Sequence, residues 1–353
     1  MKRRERGGKT PVWQLVLIQL LLTGLVLCVF ALFHHVIPRI RLRTEGLPGP
    51  IGTVERRPSP MPAPDATVTP DGMGAEEPVF PEDPLPAEEP VPETWRERFA
   101  EQFSDEVVWT ENSYQSPDIS ITIQQVSHPE SFPNMTYYVA DIYLADLDCF
   151  RTGFPAQGTF DSGRGIARAN DAVLAINGDS MLTQRDGFLI RNGQIYKQQP
   201  NSGDLCVMYY DGSMEIVAPD AIDVDDILSR GPFQIWQFGP SLLDGNGSPL
   251  EIFNVSPELR SVHPRTAIGY YEPGHYCFVV IDGRQGDYSD GADIADLARV
   301  MSGLGCKLAY NLDGGASSIM IFHGEVYDSP CNGGRYINDM LVISEPVKEG
   351  EDG

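Results

Sequence analysis

Apolar residues alternate or run unbroken along the chain from about Val107 onward, which predicts a sheet-rich domain. Segments such as "ISITIQQV" and "TYYVADIYLA" have the β-branched and aromatic composition of strands. Turn dipeptides separate several further runs, and short turns of this kind between strand-like segments favour β-hairpins. These dipeptides are Asn192-Gly193, Asp211-Gly212 and His323-Gly324. The position of His323 in a turn predicts a solvent-exposed side chain without a catalytic role.

Two segments within this region have helical signatures. Ser162 to Asn170 leads into a strand, and Ala292 to Leu304 places its apolar residues on one face. The second segment stops before Gly305, a residue favoured just after a helix. The pattern as a whole predicts an α+β fold: one domain over residues 107–346 with mixed and antiparallel sheets and a few helices. We expect residues 347–353 to form a disordered tail.

The N-terminal part has a different apolar pattern. Residues 12–37 contain an uncharged apolar run about long enough for one transmembrane helix, whereas a cleavable signal peptide, the alternative, has a shorter apolar region. Basic residues are more numerous in the 1–11 tail than just after the run. This asymmetry predicts a single-pass membrane protein with a cytoplasmic N-terminus and an extracytoplasmic C-terminal domain.

A spacer separates this apolar run from the domain. Residues 38–93 are rich in Pro, Glu, Asp, Ala and Thr, a composition that predicts a disordered and extended linker. Residues 94–106 follow, with Trp95, Phe99 and Phe103 at helical spacing. They predict a short amphipathic helix.

Charge and cysteine content exclude some classes of function. The chain has 26 Lys and Arg against 50 Asp and Glu, a formal net charge of -24, so we expect no nucleic-acid partner, because nucleic-acid affinity depends on neutralising phosphates. None of the six cysteines forms a CxxC pair, which argues against a structural zinc site. One or two disulfides remain open, without an assignable pairing.

Four glycine-flanked polar segments interrupt the strand-like runs. Taken alone, Asn177-Gly178 and Asp282-Gly283 are compatible with simple turns, and Arg265 with a structural ion pair. Asp313 differs, because six small residues lie between two apolar runs where a hairpin needs only two or three. Such a segment leaves space for a ligand beside one carboxylate. The four segments are "AINGDS" (175–180), "HPRTAIGY" (263–270), "VVIDGRQGDYSDG" (279–291) and "NLDGGASS" (311–318).

These segments, together with "FGPSLL" (238–243) and "RYINDMLVI" (335–343), resemble the phosphodiester glycosidase family over about residues 172–343. The vertebrate member removes N-acetylglucosamine from a phosphodiester on lysosomal-enzyme glycans. The "NLDGG" block, one helix downstream of the "DGRQ" block, is a specific combination. Ser180 and Met181 stand where the family has aromatic residues after its "ING" motif. The resemblance implies a hydrolase, here a bacterial relative, that splits a sugar-1-phosphodiester into free sugar and phosphomonoester. The predicted membrane anchor and spacer suggest that it acts in cell-envelope or exopolysaccharide metabolism.

The resemblance also implies roles for individual residues. Asp313 is the first candidate for the catalytic carboxylate, with Asp282 or Asp179 as its partner. Arg265 and Arg284 are expected to bind phosphate, because guanidinium groups match its geometry. The remaining candidates for substrate binding are Asn177, Gly178, Gln285, Ser317, Ser318 and the backbone N–H groups of Gly314 and Gly315, which would stabilise an oxyanion.

Two alternatives to a glycosidase remain open. No cofactor is required for glycoside hydrolysis, but Asp179, Asp282 and Asp313 together could hold Mg²⁺ or Ca²⁺ in a metal-dependent phosphodiesterase. The other alternative is a non-catalytic surface module that binds carbohydrate or serves in assembly. The product of the reaction distinguishes these possibilities.

Overall fold

The computed structural model describes residues 49–56, 94–253 and 255–346, together with Thr23. The predicted basic tail, most of the 12–37 apolar run, most of the 38–93 linker and the 347–353 tail lie outside these residues. Within them, no helix is long and apolar enough to cross a membrane.

Strands make up most of the regular structure, as the alternating apolar pattern predicts. In chain order they are β1 (Gly52–Thr53), β2 (Val108–Trp109), β3 (Ser113–Gln115), β4 (Ile119–Ser127), β5 (Thr136–Leu144), β6 (Phe150–Gly153), β7 (Leu174–Asn177), β8 (Gly187–Arg191), β9 (Gln194–Gln199), β10 (Leu205–Tyr209), β11 (Met214–Val217), β12 (Pro232–Trp236), β13 (Arg265–Glu272), β14 (His275–Ile281), β15 (Leu308–Asn311), β16 (Met320–Phe322), β17 (Glu325–Val326) and β18 (Met340–Ile343).

The strands form three sheets within one sheet-rich α+β domain. Their orders are β15-β13-β14-β5-β4-β3-β2, β1-β9-β8-β12-β10-β11 and β17-β16-β7-β18-β6. Every strand pair in the described residues is antiparallel, so the expectation of mixed sheets is wrong. Hairpins account for the pairs of consecutive strands, because a short turn can join only antiparallel neighbours.

The helices are few and short, as expected for this class. They are α1 (Trp95–Arg98), α2 (Gly163–Ala169), α3 (Val224–Ser229), α4 (Pro257–Arg260) and α5 (Ile294–Gly303). Two of them match the sequence prediction closely, since Ser162 caps α2 and Asp293 caps α5, each through its side chain. The apolar face of α5 packs on β13 and β14 through a buried cluster that includes Leu297, Met301 and Val279.

The three predicted hairpins join β8 to β9, β10 to β11 and β16 to β17. Asn192-Gly193 and His323-Gly324 have positive φ at both positions, which matches the twist of a two-residue hairpin. The predicted exposure of His323 is wrong. Its ring lies 4.4 Å from that of Trp109, and its Nε2 is buried without a hydrogen-bond partner in the described structure.

The segment that precedes the domain differs from the expectation in two ways. Helix α1 is shorter than the predicted 94–106 helix, although a 3₁₀ turn over Ala100–Gln102 continues it. Gly52 and Thr53, inside the predicted 38–93 linker, pair with β9, and Val54 beside them is 8% exposed. A short β-branched stretch in a proline-rich region therefore forms an edge strand.

The cysteines of the described residues are all reduced and buried. Cys277 and Cys306 come nearest to pairing, with 3.5 Å between their Sγ atoms. The structure thus contains none of the disulfides left open by the sequence, within the residues that it describes.

Candidate active site

Strand register brings three of the four polar segments to one end of the seven-stranded sheet. Arg265, the first residue of β13, pairs with Ile281 at the end of β14, so Asp282 lies just beyond that strand. On the other side of β13, Ala267 pairs with Asn311 at the end of β15, so Asp313 lies just beyond β15. The end of β7 in the five-stranded sheet contributes the fourth segment.

Direct contacts join the four segments. Asn177 donates from Nδ2 to the Asp313 carbonyl at 2.7 Å, and the Asp313 N–H donates to the Gly178 carbonyl at 3.3 Å. The Gly315 N–H donates to the Pro264 carbonyl at 2.9 Å. The guanidinium of Arg284 lies over Gly315, where a Cβ would be only 3.2 Å from Nη2. The segments from residues 175, 263, 279 and 311 therefore form one cluster.

Asn177 and Gly178 hold this cluster together. Asn177 is 1% exposed, and its Oδ1 also accepts from the Thr266 hydroxyl at 2.7 Å and from the Ile319 N–H at 3.2 Å. Its side chain is therefore occupied by the protein. A Cβ on Gly178 would lie 2.5 Å from Oδ1 of Asp339, so only glycine fits there. The structure gives both residues a positioning role in place of the expected substrate contact.

Asp313 belongs to this cluster, and three protein donors bind the two oxygens of its carboxylate. Oδ1 accepts from the Gly314 N–H at 2.9 Å, while Oδ2 accepts from the Ser317 hydroxyl at 2.7 Å and from Nη2 of Arg335 at 2.6 Å. The side chain of Asp313 is 13% exposed and that of Arg335 is 51% exposed. Asp313 is thus a rigidly oriented carboxylate that solvent, and hence a ligand, can still reach.

Arg335 is the functional candidate that the sequence analysis missed. It lies 22 residues beyond Asp313, in the loop before β18, and it also contacts the Ser317 hydroxyl through Nε. The sequence did contain an indication of this role, because Arg335 is the first residue of the "RYINDMLVI" segment that contributes to the family resemblance. Its guanidinium supplies a positive charge where Arg265 was expected to do so.

Arg284 is an exposed cation beside the loop that follows Asp313 and contains Gly314 and Gly315, here called the double-glycine loop. Its φ of 59° is in the left-handed region. Its Nη2 lies 3.3 Å from Nδ1 of His263, whose Nε2 contacts the Ser261 hydroxyl at 2.9 Å. Burial, aided by Arg284 and Arg265, lowers the pKa of His263. A neutral imidazole can accept from Arg284 through Nδ1 while donating to Ser261 from Nε2, and this pair of contacts orients the guanidinium.

Arg265 does not face a ligand site. It is 1% exposed, and its guanidinium donates to three backbone carbonyls, those of Ala292, Leu259 and Ser261. Burial lowers its pKa to about 10. The expected phosphate contact is therefore not supported by its position, and the alternative of a structural ion pair also fails, because its hydrogen-bond partners in the described structure are neutral carbonyls.

Contrary to expectation, the double-glycine loop does not offer the backbone N–H groups of Gly314 and Gly315 to a ligand. The Gly314 N–H donates to Asp313 and the Gly315 N–H to Pro264, so neither is free to bind an oxyanion. Ser317 is 1% exposed and donates to Asp313. Ser318 is 2% exposed, and its hydroxyl is buried without a hydrogen-bond partner in the described structure. The small residues let this loop approach Pro264 and Arg284 closely.

Asp282 belongs to a neighbouring buried network. It is 1% exposed and accepts from the Tyr288 hydroxyl at 2.8 Å and from the Ser329 N–H at 3.1 Å. Gln285 also bonds Ser329, donating from Nε2 to its carbonyl at 2.6 Å. Burial raises the pKa of Asp282 to about 6. Neither Asp282 nor Gln285 presents a free polar group in the manner expected of a substrate contact.

Asp179 directly follows Gly178 of the cluster, but its side chain is completely buried. Its Oδ1 accepts from Nη2 of Arg191 at 2.5 Å, and its Oδ2 accepts from the Gln237 N–H at 3.1 Å. Asp339 shares the same guanidinium at 3.3 Å, and burial raises its pKa to about 7. This buried triad of Asp179, Arg191 and Asp339 supports the floor of the site, since Asp339 packs against Gly178.

The three aspartates proposed as metal ligands do not form a ligand set. Asp179 is paired with Arg191, Asp282 accepts from two protein donors, the Tyr288 hydroxyl and the Ser329 N–H, and Asp313 is paired with Arg335. In the described part of the chain, no group of three or more His, Cys, Asp or Glu side chains is arranged to hold a metal ion. The donor set present does not fit an Mg²⁺ or Ca²⁺ centre built from these residues.

The "FGPSLL" segment lines a cavity away from this cluster. The cavity has a volume of about 860 Å³ and is walled by apolar residues such as Leu243, Phe253 and Leu308 together with Asp204. Its wall includes Phe238, Pro240 and Ser241 from the segment. This motif therefore shapes a different part of the surface from the one that carries Asp313.

Comparison with known proteins supports the family resemblance. Residues 170–344 match the family described as phosphodiester glycosidase. A prophage-derived uncharacterized protein of Bacillus subtilis, YomE, is 29% identical over 188 residues, which cover 51% of this chain and 29% of that protein. The aligned region thus spans less than a third of this relative.

A solved structure gives the same fold. The catalytic domain of zebrafish N-acetylglucosamine-1-phosphodiester alpha-N-acetylglucosaminidase, described as auto-inhibited by its pro-peptide, superposes with a TM-score of 0.53 and 20% sequence identity. The match covers 68% of this chain and 88% of that one. Family and fold together support a hydrolase of the glycosidase type.

Proposed function

We propose that this protein hydrolyses the glycosidic bond of a sugar-1-phosphodiester, releasing free sugar and a phosphomonoester. One observation carries the proposal: the partly exposed carboxylate of Asp313 is paired with the exposed guanidinium of Arg335, and the exposed guanidinium of Arg284 lies over Gly315 in the same loop as Asp313. A phosphodiester joined to an anomeric carbon requires this combination of a negative charge near the carbon and positive charge near the phosphate.

The carboxylate and the two guanidiniums have different roles in the proposed reaction. Asp313 faces the anomeric carbon. It either stabilises the oxocarbenium-like transition state while water attacks the carbon, or attacks the carbon itself as the phosphate leaves, after which water hydrolyses the glycosyl-enzyme bond. Arg284 and Arg335 bind the phosphate oxygens and stabilise the charge that develops as the phosphomonoester leaves. The hydrogen bonds from Gly314 and Ser317 fix the carboxylate in advance, so that little reorganisation accompanies the reaction.

Neither predicted partner carboxylate is exposed, which fits this substrate better than an ordinary glycoside. Asp282 and Asp179, the predicted partners, are both buried and engaged by protein donors. An ordinary glycoside needs a general acid to protonate its alcohol leaving group. A phosphomonoester leaves as a stable anion, so two arginines can replace the acid.

The cellular setting belongs to the same proposal. A transmembrane helix over residues 12–37 with a cytoplasmic N-terminus would place the domain outside the cytoplasm, beside envelope glycopolymers. Glycosyl phosphates in cell-wall polymers or exopolysaccharide are substrates of the required chemistry. We propose a role in their hydrolysis or remodelling.

Product identity tests the function. The full-length chain is incubated with a synthetic N-acetylglucosamine-1-phosphodiester, and the products are identified by mass spectrometry. Free sugar with a phosphomonoester supports the glycosidase, whereas sugar phosphate would show P–O cleavage and favour a phosphodiesterase. Loss of turnover with a chelator, restored by Mg²⁺ or Ca²⁺, would likewise contradict the metal-free mechanism.

Replacing Arg284 by Lys should raise KM for a sugar-1-phosphodiester by about 10-fold while changing KM for a neutral aryl glycoside little. Lysine keeps the charge but loses the paired donors of the guanidinium. Steady-state kinetics on the two substrates measure the difference.

Arg265→Lys is the matched control, because the guanidinium of Arg265 donates to backbone carbonyls. Its replacement should lower stability and leave the ratio of the two KM values unchanged. Equal effects of Arg284→Lys on both substrates would exclude its phosphate role.

A further inference from the structure

The loop between β17 and β18 places Arg335 beside Asp313, and hydrogen bonds fix this loop at two points. Near its start, Ser329 is bound by Asp282 and Gln285. At its end, Ile337 exchanges two backbone hydrogen bonds with Asp161, at 2.8 and 3.0 Å. Arg335 lies between these points and reaches Asp313 at 2.6 Å. The position of this guanidinium thus depends on how firmly both ends of the loop are fixed.

We propose that Asp282 is a positioning residue that holds this loop so that Arg335 engages Asp313, an inference that rests on the proposed function of the site. Both carboxylate oxygens of Asp282 accept from the Ser329 N–H, at 3.2 and 3.1 Å. Asp282 itself is fixed by β14 and by the hydroxyl of Tyr288. The carboxylate therefore connects the rigid sheet to the loop.

The loop contains one 3₁₀ turn, Cys331–Gly333, and three successive residues with positive φ. Asn332, Gly333 and Gly334 all have positive φ, at 54°, 75° and 79°. Glycine in these conformations gains much freedom when its contacts are lost. A loop of this kind keeps one conformation only when its surroundings impose it.

The anchor depends on the charge of Asp282. Burial raises the pKa of its carboxyl to about 6. The titratable groups facing it are Tyr288, the Tyr138 hydroxyl bonded to Tyr288 at 2.9 Å, and Asp328, whose pKa burial raises to about 8. Above about pH 6, Asp282 is ionised and accepts all of its hydrogen bonds, while Asp328 still carries a proton. Below that pH, protonation of Asp282 removes acceptor capacity from the loop.

A double-mutant cycle on the full-length chain tests the connection. Asp282→Asn should lower kcat/KM by about 10-fold at neutral pH, and the acid limb near pH 6 in the wild-type profile should disappear in this variant. In an Arg335→Ala background, Asp282→Asn should cause no further loss, because the group that it positions is absent. Asp287→Asn, an exposed acid on the same loop as Asp282, is the matched control and should behave like wild type. Independent, multiplicative losses in the cycle, or an unchanged acid limb in Asp282→Asn, would overturn the proposal.

Hydrogen exchange separates this inference from the proposed function. Amide exchange measured by mass spectrometry should accelerate over residues 329–337 in Asp282→Asn relative to Asp287→Asn, with or without turnover. If the wild-type protein releases no sugar, the proposed function fails while this readout still decides whether Asp282 holds the loop. Unchanged exchange across the loop overturns the positioning role.

Discussion

Replacing Asp313 by Asn is expected to lower kcat by about 10³-fold or more. The substitution keeps the shape of the side chain and an oxygen for the Gly314 N–H, but it removes the negative charge that faces the anomeric carbon. It also breaks the ion pair with Arg335. Single-turnover measurement of sugar release from a sugar-1-phosphodiester gives the effect directly.

The fold should survive this change. Asp313 is partly exposed, and we expect the free energy of unfolding to change by only about 1 kcal/mol. Asp290→Asn, an exposed acid close to Arg284 in the chain, removes the same charge without touching Asp313 and should retain activity. Turnover in Asp313→Asn comparable to that of Asp290→Asn would reject the catalytic role of Asp313.

Replacing Arg191 by Met should destabilise the protein by about 3–5 kcal/mol, which urea unfolding can measure. The guanidinium lies completely buried between Asp179 and Asp339, and it also donates to the Ile235 carbonyl. Its removal takes away the buried cation to which both carboxylates are hydrogen-bonded. The loss should be smaller at pH 5 than at pH 8, because burial raises the pKa of Asp339 to about 7 and its protonation removes one of the buried negative charges.

A surface pair provides the comparison for this prediction. Arg230 contacts Glu215 at 2.6 Å, but its side chain is 39% exposed. Arg230→Met should therefore cost no more than about 1 kcal/mol. Similar losses for the two variants would mean that the buried triad contributes no more to stability than a surface ion pair.

Local signals predicted much of the fold. Asn192-Gly193 and His323-Gly324 specify hairpin turns by themselves, because few other residues accept positive φ at two successive positions. Ser162 and Asp293 mark helix starts through hydrogen bonds within one turn. The unusual run of small residues after Asp313 likewise identified the segment at which four parts of the chain meet. Each of these signals is contained in a few neighbouring residues.

The errors concern partners that are distant in sequence. Arg191 neutralises two aspartates on other segments, and Arg335 reaches back to Asp313, so neither contact has a local signature. Arg265 looked like a phosphate ligand because sequence gives no measure of burial. Similarly, the proline content of residues 38–93 concealed a strand at Gly52–Thr53. Burial and long-range pairing decide such roles.

The pairing of β1 with β9 shortens the part of the chain that connects the domain to the proposed transmembrane helix. If residues 12–37 span the bilayer as proposed, the chain from residue 38 to Gly52 can extend about 50 Å at most, whereas a free path to Thr94 would allow about 190 Å. Polymers close to the lipid surface then come within range, and the outer layers of a thick wall do not.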